Sequence, residues 1–319
     1  MILTQGRPAA SSRGHLANTG NGPRLQVLDI RHRRYRALVD PDTAFWALVP
    51  NGESGGARER GVLARYLRRR PAFLREMETL RFGVSPAAVY VNPTERCNLD
   101  CAYCYLPGTL RRTGLHMPPD RLIEALGLLR DFFRDRGTEG PKPQIIFHGS
   151  EPLLAKRAIF SGIDRFGGDF RFGIQTNGTL LDDKAIAFIT SRGVGLGLSL
   201  DGASAGVADR TRRTWAGRGM FPQVVRALGK LRGYPNTNVI CTVTRENLRD
   251  LTRVVDFLHA LEVPTCMLNP VRCTRPGGRD LKPADHVLAP QYLKALDRTH
   301  ALYRRTGRKL VVANFANVL

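Results

Sequence analysis

The stretch TERCNLDCAYCYLP, residues 94–107, carries three closely spaced cysteines. Cys97, Cys101 and Cys104 follow the spacing CxxxCxxC, which brings half of the six cysteines of the chain into eight residues. This pattern is typical of a metal site rather than of a disulfide framework. Thiolates at this spacing can hold an iron–sulfur cube, although three are one short of the usual four ligands. The alternative is a zinc site in which His116 is the fourth ligand.

Around and after this stretch, apolar runs alternate with helical patterns. The predicted strands are six: 87–93, 143–149, 170–176, 194–200, 238–244 and 265–271. The sequence RLIEALGLLRDFF places Leu122, Leu126, Leu129 and Phe133 on one helix face, and Asn247 is predicted to cap the helix after the fifth strand. Because nearly all-apolar strands are each followed by a helix, we expect an α/β fold with a parallel sheet, a partial (β/α)6 barrel. In such barrels the chemistry lies at the C-terminal ends of the strands.

Four segments are predicted along the chain. Residues 1–24 are rich in Gly, Ser, Asn, Pro and Arg and are expected to be disordered. A small α+β domain is expected at 25–84, the partial barrel at 85–275, and a C-terminal segment of helix and strand at 276–319.

The 25–84 segment shows the patterns of two short strands, or a strand and a turn, followed by helix. The run GVLARYLRRRPAFLREMETL predicts one or two helices broken near Pro71, since proline removes a backbone donor inside a helix. Trp46 and the basic residues Arg68–Arg70 could grip a leader peptide. The alternative is a domain that only packs as a cap on the barrel.

The chain carries a formal net charge of +21, from 49 basic and 28 acidic residues. The arginines are scattered along the sequence, so the charge does not favour a nucleic-acid partner, and an acidic peptide fits equally well. No apolar run is long enough to span a bilayer, and the N-terminal residues lack the apolar segment of a signal peptide. These features predict a cytoplasmic protein without a membrane partner.

A second motif, FHGSEPLL at 147–154, follows the second predicted strand. Gly149 and Ser150 let backbone groups approach a ligand closely. Glu151 offers a carboxylate for an ammonium group, and Pro152 can begin a helix. The alternative is an ordinary strand-to-helix turn with a capping glutamate.

The combination of CNLDCAYCY and FHGSEP resembles the radical S-adenosylmethionine (SAM) superfamily. In that family three cysteines bind three irons of a 4Fe–4S cluster, and SAM chelates the fourth iron. The resemblance assigns the cluster to Cys97, Cys101 and Cys104, and the SAM ammonium to Glu151. Ser150 stands where the family usually has a second glycine, a change that keeps the backbone amide available. One electron from the cluster then cleaves SAM, and the 5′-deoxyadenosyl radical abstracts hydrogen from a substrate.

Later strand ends carry further candidates for the SAM site. Thr176 and Asn177 end the third strand in QTNGTLL, and Ser199 and Asp201 end the fourth in SLDGAS. Ser199 can hydrogen-bond a ribose or a carboxylate, whereas Asp201 could equally begin a turn. Leu268 and Asn269, at the end of the sixth strand, are candidates for the wall of the adenine pocket, and the alternative is that they are simple wall residues of the barrel.

With QTNGTLL and SLDG included, the sequence resembles one branch, the peptide- and protein-modifying maturases of the SPASM and anaerobic sulfatase-maturase type. The match covers about residues 88–270. Arg212 falls at a position of that branch's His-Asp-x-x-Arg element, but Ala208 stands in place of the histidine. The branch usually continues into a SPASM domain with auxiliary clusters. Residues 276–319 are expected to be the truncated start of such a domain, and the alternative is a protein that lacks the domain.

The leading hypothesis is therefore a radical SAM oxidoreductase that matures a ribosomally made peptide or a protein. The resemblance implies a peptide or protein substrate, with a leader segment, and an electron donor such as flavodoxin or ferredoxin. Two alternatives stay open: a radical SAM enzyme acting on RNA or a small metabolite, and a non-enzymatic zinc or iron–sulfur protein. The sequence identifies no catalytic acid or base.

Overall fold

The computed structural model describes residues 24–30, 32–51, 55–83, 86–135 and 141–316, and only the backbone of 55–59. The chain divides into two compact units, Met1–Ser85 and Pro86–Leu319, and each has its own sheet. The segment 1–24, for which disorder is expected, lies outside the described residues apart from Arg24.

The N-terminal unit is a three-stranded antiparallel sheet with one long helix. Strands β1 (Gln26–Leu28), β2 (Tyr35–Asp40) and β3 (Phe45–Pro50) pair in chain order. Helix α1 (Gly55–Phe82) packs on β3. The sequence patterns predict at most two strands here, and the third arises because residues 41–44 form the tight turn of a β2–β3 hairpin.

Helix α1 continues through Pro71, where the sequence predicts a break. The reason is packing on both sides of the proline. Tyr66 stacks on Phe45 with 3.9 Å between ring centroids, and Phe73 stacks on Tyr66 at 6.0 Å. The Tyr66 hydroxyl also donates to the buried carboxylate of Asp40. These contacts hold the helix on the sheet and offset the backbone hydrogen bond that the proline removes.

The C-terminal unit is built on a seven-stranded parallel sheet. Its strands are β4 (Ala88–Val91), β5 (Gln144–Phe147), β6 (Arg171–Thr176), β7 (Gly195–Ser199), β8 (Thr237–Val243), β9 (Thr265–Pro270) and β10 (Val311–Val312). They pair in chain order, with β4 at one edge and β10 at the other. All six predicted strands are confirmed in the parallel arrangement expected of a partial barrel, and β10 is an additional short strand.

Most helices of this unit pack apolar residues into one core with the sheet. The helices are α2 (Gly108–Thr113), α3 (Pro119–Asp135), α4 (Lys156–Phe166), α5 (Asp183–Ser191), α6 (Ala205–Ala208), α7 (Phe221–Lys230), α8 (Leu251–Ala260), α9 (Pro276–Asp280), α10 (Asp285–Thr306) and α11 (Ala313–Ala316). The predicted apolar face of α3 is confirmed, because Leu122, Leu126 and Phe133 are buried in the core and Leu129 packs against it. None of the helices that the structure describes is long and apolar enough to cross a membrane.

Strand β8 illustrates how the sheet divides its side chains. Val239, Cys241 and Val243 are fully buried in the core, whereas Ile240 and Thr242 point to the other face and line a cavity. Successive side chains of a strand point to opposite faces, so each strand contributes alternate residues to the cavity face. The candidate site lies on that face, at the C-terminal ends of the strands.

The outer edge of β9 is closed by a short strand and by side chains. Strand β10 pairs only with Thr265 and Cys266. Further along, the Asn314 side chain accepts from Leu268 N at 3.1 Å and donates to Leu268 O at 2.9 Å. The Tyr292 hydroxyl donates to the same carbonyl at 2.6 Å. Side chains therefore satisfy the backbone groups of Leu268 that would otherwise be unpaired at the edge.

Candidate active site

A cavity of about 470 Å³ opens at the C-terminal ends of β4 to β9. Cys97, Cys101 and Cys104 all lie on its wall. Five other predicted site residues also line it: Gly149, Ser150, Thr176, Asn177 and Ser199. The remaining four are not among the lining residues that the structure describes: Glu151, Pro152, Asp201 and Leu268.

The loop that carries the three cysteines is held by the segment that follows α6. Asp100 N donates to Arg213 O at 2.7 Å, and the Trp215 indole N–H donates to the Cys97 carbonyl at 2.9 Å. The buried Arg111 of α2 donates to the Asp100 carboxylate at 2.9 Å. These contacts hold the loop in place, and its three thiols line the cavity together with Arg111.

Burial changes the acidity of two of the thiols. It raises the pKa of the Cys97 thiol and raises the pKa of the Cys101 thiol to about 12, while the positive charge of Arg212 acts in the opposite direction on both. Thiolate is the metal-binding form of cysteine, so these groups must release protons when a metal centre binds. Arg212 is placed to favour that release.

The donor set fits an iron–sulfur cluster better than a single zinc ion. His116, the alternative zinc ligand, is exposed and pairs through its backbone with Thr94. Among the residues that the structure describes, no group of three or more His, Cys, Asp and Glu side chains could hold one metal ion. A 4Fe–4S cube does not need that convergence, because each thiolate binds a different iron atom. Three cysteines on one cavity wall match such a group.

Glu151 is fully buried, and its carboxylate accepts three hydrogen bonds. Oε1 accepts from Leu153 N at 3.0 Å and from Thr176 Oγ1 at 2.7 Å, and Oε2 accepts from Asn177 N at 2.7 Å. Burial raises the pKa of this carboxyl above its ordinary value, and the three donors oppose the rise. Glu151 therefore caps the 3-10 turn at Pro152–Ala155 and also fixes the end of β6.

Gly149 and Ser150 line the cavity just after β5 ends. Gly149 has a φ of +110°, a conformation that favours glycine, and a Cβ there would lie 3.1 Å from the Asn92 side chain. The Ser150 hydroxyl donates to Glu95 O at 2.6 Å. Pro152 stands at the start of the 3-10 turn, the position where proline costs no backbone hydrogen bond.

Asn177 connects the end of β6 to the cysteine loop. Its Nδ2 donates to Asn98 Oδ1 at 2.8 Å and lies 3.8 Å from Cys97 Sγ. Thr179 Oγ1 donates to Asn177 Oδ1 at 2.7 Å, and Asn98 Nδ2 lies 2.8 Å from Thr179 Oγ1. One set of polar side chains therefore joins the end of β6, a predicted part of the SAM site, to the cysteine loop.

Asp201 lies in a buried network with two residues of the cavity wall. Tyr103 OH donates to Asp201 Oδ2 at 2.5 Å, and Arg212 Nη1 donates to Tyr103 OH at 2.6 Å. Thr242 N donates to Asp201 Oδ1 at 2.8 Å. Burial raises the pKa of the Asp201 carboxyl, against the lowering effect of Arg212. Because Tyr103 and Arg212 line the cavity, the network presents a phenol and a guanidinium to it.

Only the arginine of the His-Asp-x-x-Arg element reaches the cavity. Ala208, at the histidine position, is buried in the core. Asp209 accepts the backbone N–H groups of Met220 and Phe221 at 2.8 and 3.0 Å, so it fixes the start of α7. The Asp-x-x-Arg spacing was therefore a sequence signal for Arg212, although the element is incomplete.

Two predicted residues have surroundings different from those expected. Leu268 is fully buried in the core, whereas Asn269, the other candidate at this strand end, lines the cavity together with Met267, because strand side chains alternate between faces. Asn247 makes no capping hydrogen bond with the helix that follows it. Its side chain turns inward and donates to Asp201 O at 2.9 Å, which ties two strand ends together.

Several residues of the cavity wall are not identified by the sequence patterns, and among them are Tyr90, Tyr105, His148 and Arg272. Tyr90 meets His148 edge to face at 5.6 Å, and the Arg272 guanidinium lies 5.5 Å from the centre of the Tyr105 ring. Burial lowers the pKa of His148, and the charge of Arg272 adds to this effect. Only their location in the sequence could have indicated a role, because they lie near the ends of predicted strands or in the cysteine loop.

The family model for the radical SAM superfamily matches residues 91–258, more than half of the chain. The chain belongs to the radical SAM superfamily. Members of this superfamily use a 4Fe–4S cluster and SAM, which agrees with three cysteines on a shared cavity. The resemblance seen in the CxxxCxxC and GSEP motifs is confirmed.

Two relatives are similar to this radical SAM chain in sequence, and one solved structure is similar to it in fold. An uncharacterized protein of Archaeoglobus fulgidus is 38% identical over 295 residues, 92% of this chain and 65% of the relative. A cysteine-type anaerobic sulfatase-maturating enzyme of Clostridium perfringens is 23% identical over 253 residues, 73% of this chain and 65% of the relative. The chain thus spans 65% of the length of each.

The solved structure is that of native anSMEcpe with bound AdoMet and Cp18Cys peptide. It shares the fold with a TM-score of 0.61 and 20% identity, over 71% of this chain and 63% of that one. The resemblance to the maturase branch is confirmed by the sulfatase-maturating relative, whereas the solved structure shows the shared fold.

Proposed function

We propose that the chain binds a 4Fe–4S cluster through Cys97, Cys101 and Cys104 and uses SAM to modify a peptide or protein. The observation that carries this proposal is that three thiols share one cavity with the ends of β6 and β7. A bound cluster supplies the electron that cleaves SAM to a 5′-deoxyadenosyl radical, which takes a hydrogen atom from the substrate.

The side chains of the cavity wall bind and orient SAM. Arg212 and Ser199 offer a guanidinium and a hydroxyl to its carboxylate or ribose. Glu151 uses three of the about four acceptor positions of a carboxylate within the protein, and the fourth is where we place the SAM ammonium. Because Glu151 is fully buried behind the cavity wall, this contact requires the wall beside it to move when SAM binds. Thr176 and Asn177, which Glu151 holds in place, form the adjoining wall.

The substrate class is supported by the relatives and by the N-terminal unit. One relative is named for sulfatase maturation, and a solved structure of the same fold contains a peptide. In the N-terminal unit Trp46 and Leu48 are each 50% exposed on one face of β3, and Leu28 of β1 is 46% exposed. This apolar sheet face is where we place a leader segment of the substrate. The electron donor is a flavodoxin or ferredoxin, and the protein works in the cytoplasm.

Anaerobic reconstitution with iron and sulfide tests the cluster and the chemistry together. We expect about four irons per chain, a broad visible absorbance, and formation of 5′-deoxyadenosine from SAM that requires a reductant such as dithionite. A chain that takes up one zinc ion and never cleaves SAM would end the proposal.

A labelled-substrate experiment tests the substrate class. The reconstituted protein is incubated with SAM and a deuterated peptide encoded next to its gene, and the 5′-deoxyadenosine is examined by mass spectrometry. Deuterium in the nucleoside supports a peptide substrate. Deuterium transfer only from labelled RNA or from a small metabolite would replace that class, and the high positive charge makes RNA the first alternative to try.

A further inference from the structure

We propose that an arginine-rich surface around Trp215 receives an acidic electron-carrier protein, and that the electron for the cluster enters the chain there. The surface, called the Trp215 surface below, consists of Trp215, Arg112, Arg213 and Arg218, and the buried Arg111 lies beside the indole ring. This inference rests on the proposed function, because it names the docking place of the electron donor.

A tight hairpin after α6 presents Trp215. Thr214 N donates to Arg218 O at 2.8 Å, Gly217 N donates to Thr214 O at 2.9 Å, and Arg213 forms a bridge with Gly219. The hairpin is attached to the cysteine loop, because Asp100 N donates to Arg213 O and Leu99 bridges to Thr214. Its position relative to the cysteines is therefore fixed by backbone hydrogen bonds.

The indole of Trp215 connects the outer surface with a cluster ligand. Its Nε1 donates to the carbonyl of Cys97 at 2.9 Å, while the side chain as a whole is only half-buried. Electron transfer slows steeply with distance, so a carrier that touches the exposed part of the Trp215 side chain is separated from the Cys97 thiolate by one side chain and one residue. Among the described residues, no aromatic side chain other than those that line the cavity makes such a hydrogen bond to Cys101 or Cys104.

The charge of the Trp215 surface selects an acidic partner. Arg112, Arg213 and Arg218 are exposed, and in the described part of the chain none of the three takes part in a salt bridge. The nearby carboxylates already have partners in this chain. Asp100 pairs with Arg111, Asp209 accepts the backbone N–H groups of Met220 and Phe221, and Glu95 accepts the backbone N–H of Leu115. Complementary charge raises the rate at which an acidic protein finds such a surface.

The geometry favours a protein carrier over RNA. The guanidinium carbons of Arg111 and Arg112 lie 5.0 and 5.2 Å from the centre of the Trp215 ring. A Cβ on Gly108 would lie 3.9 Å from that ring, so α2 packs closely beside it. RNA bases bind proteins by stacking on open aromatic faces, and here guanidinium groups occupy the ring. A small contact surface with a rim of charge matches the weak interfaces of electron-transfer pairs.

The redox step is the passage of one electron. An anionic flavin hydroquinone on the carrier loses one electron and no proton, and the cluster gains that electron. The experiment therefore uses the full chain reconstituted with its cluster and an acidic flavodoxin reduced to the hydroquinone. Two readouts are taken: binding by biolayer interferometry, and oxidation of the flavodoxin by its visible absorbance after rapid mixing.

The test variant is Arg112→Glu/Arg218→Glu, which reverses two charges of the surface. The matched control is Lys142→Glu/Arg171→Glu, which reverses two exposed charges at the opposite ends of the strands, beside β5 and β6. We expect the test variant to bind flavodoxin about ten- to a hundredfold more slowly at low ionic strength, with the difference vanishing at high salt. The control should match the wild type, as should the test variant's cleavage of SAM with dithionite.

A second variant, Trp215→Phe, separates docking from electron passage. It keeps the aromatic packing but removes the N–H that meets Cys97 O, so flavodoxin should bind normally and be oxidised more slowly. Equal flavodoxin kinetics in wild type, test variant and control would overturn the docking proposal, and so would tight RNA binding at these arginines with no flavodoxin binding. If dithionite also fails to drive SAM cleavage in the wild type, the proposed function itself is wrong.

Discussion

At the scale of single residues, the thiols and the groups around them decide what the cavity can hold. Cys97 and Cys101 are held in surroundings that favour the neutral thiol, while Arg212 favours the thiolate. A metal centre shifts this balance because it binds only the deprotonated form. Burial raises the pKa of the Cys97 and Cys101 thiols, so both must lose a proton when a cluster assembles on them.

Replacing Cys101 by alanine is expected to abolish the cluster. One of three ligands is lost, so iron and sulfide content and formation of 5′-deoxyadenosine should fall together. Cys273→Ala is the matched control, because that half-buried thiol contacts only the Val271 carbonyl among the described hydrogen bonds. A Cys101→Ala protein with wild-type iron content and SAM cleavage would show that the site assignment is wrong.

Replacing Glu151 by glutamine is expected to weaken SAM binding while the cluster remains. The new amide keeps the shape, but its NH₂ group faces the N–H of Asn177 where a carboxylate oxygen accepts. Loss of a buried charge-assisted hydrogen bond costs about 1.5–3 kcal/mol. If the wall residues must reorder to bind SAM, this cost lowers the affinity for SAM at least about tenfold. Calorimetric titration with SAM measures it, and an unchanged affinity would remove Glu151 from the SAM site.

At the scale of secondary-structure elements, the buried faces of β8 and β9 protect two cysteines. Cys241 and Cys266 are fully buried, and burial raises the pKa of the Cys266 thiol to about 12. At pH 8 only about one such thiol in 10⁴ is ionised, and the thiolate is the reactive form. In the native chain iodoacetamide should therefore label Cys273 well before Cys266, and labelling of Cys266 should increase with pH or with denaturant. Peptide mass spectrometry would detect the order, and simultaneous labelling would contradict the strand packing.

The sequence predicts elements well where a pattern extends over several residues. The six apolar strands and the face of α3 have such patterns, whereas β10 is only two residues long and has none. Helix α1 crosses Pro71 because of contacts with β2 and β3, which local propensity does not contain.

The candidate site shows the same division. The three cysteines and the GSEP motif can be recognised from the sequence, because each set of residues lies within one short loop. The location of Leu268 could not be predicted without knowing which face of β9 points to the cavity. A shift of one residue along the strand moves a side chain from the core to the cavity. The partnership of Tyr103 with Asp201 joins residues 98 positions apart, so no local pattern could reveal it.

At the scale of the whole molecule, each of the two units has its own sheet, and the proposed cofactor site belongs to the C-terminal one. Differential scanning calorimetry of the reconstituted chain is expected to show two transitions. Only one of them should move when SAM is added, by about 2.7 kcal/mol of added stability when free SAM is a hundredfold above its Kd. An equal shift of both transitions would mean that the units unfold together.

The pairing of Asn314 with Leu268 has a consequence for how this protein behaves when crowded with copies of itself. An exposed strand margin invites a neighbouring chain to add its own strand, and fibrous aggregates grow in this way. Here a carboxamide imitates the missing neighbour by offering one acceptor and one donor to the same residue. Together with the Tyr292 hydroxyl and the two residues of β10, this side chain occupies the β9 edge where such growth could begin.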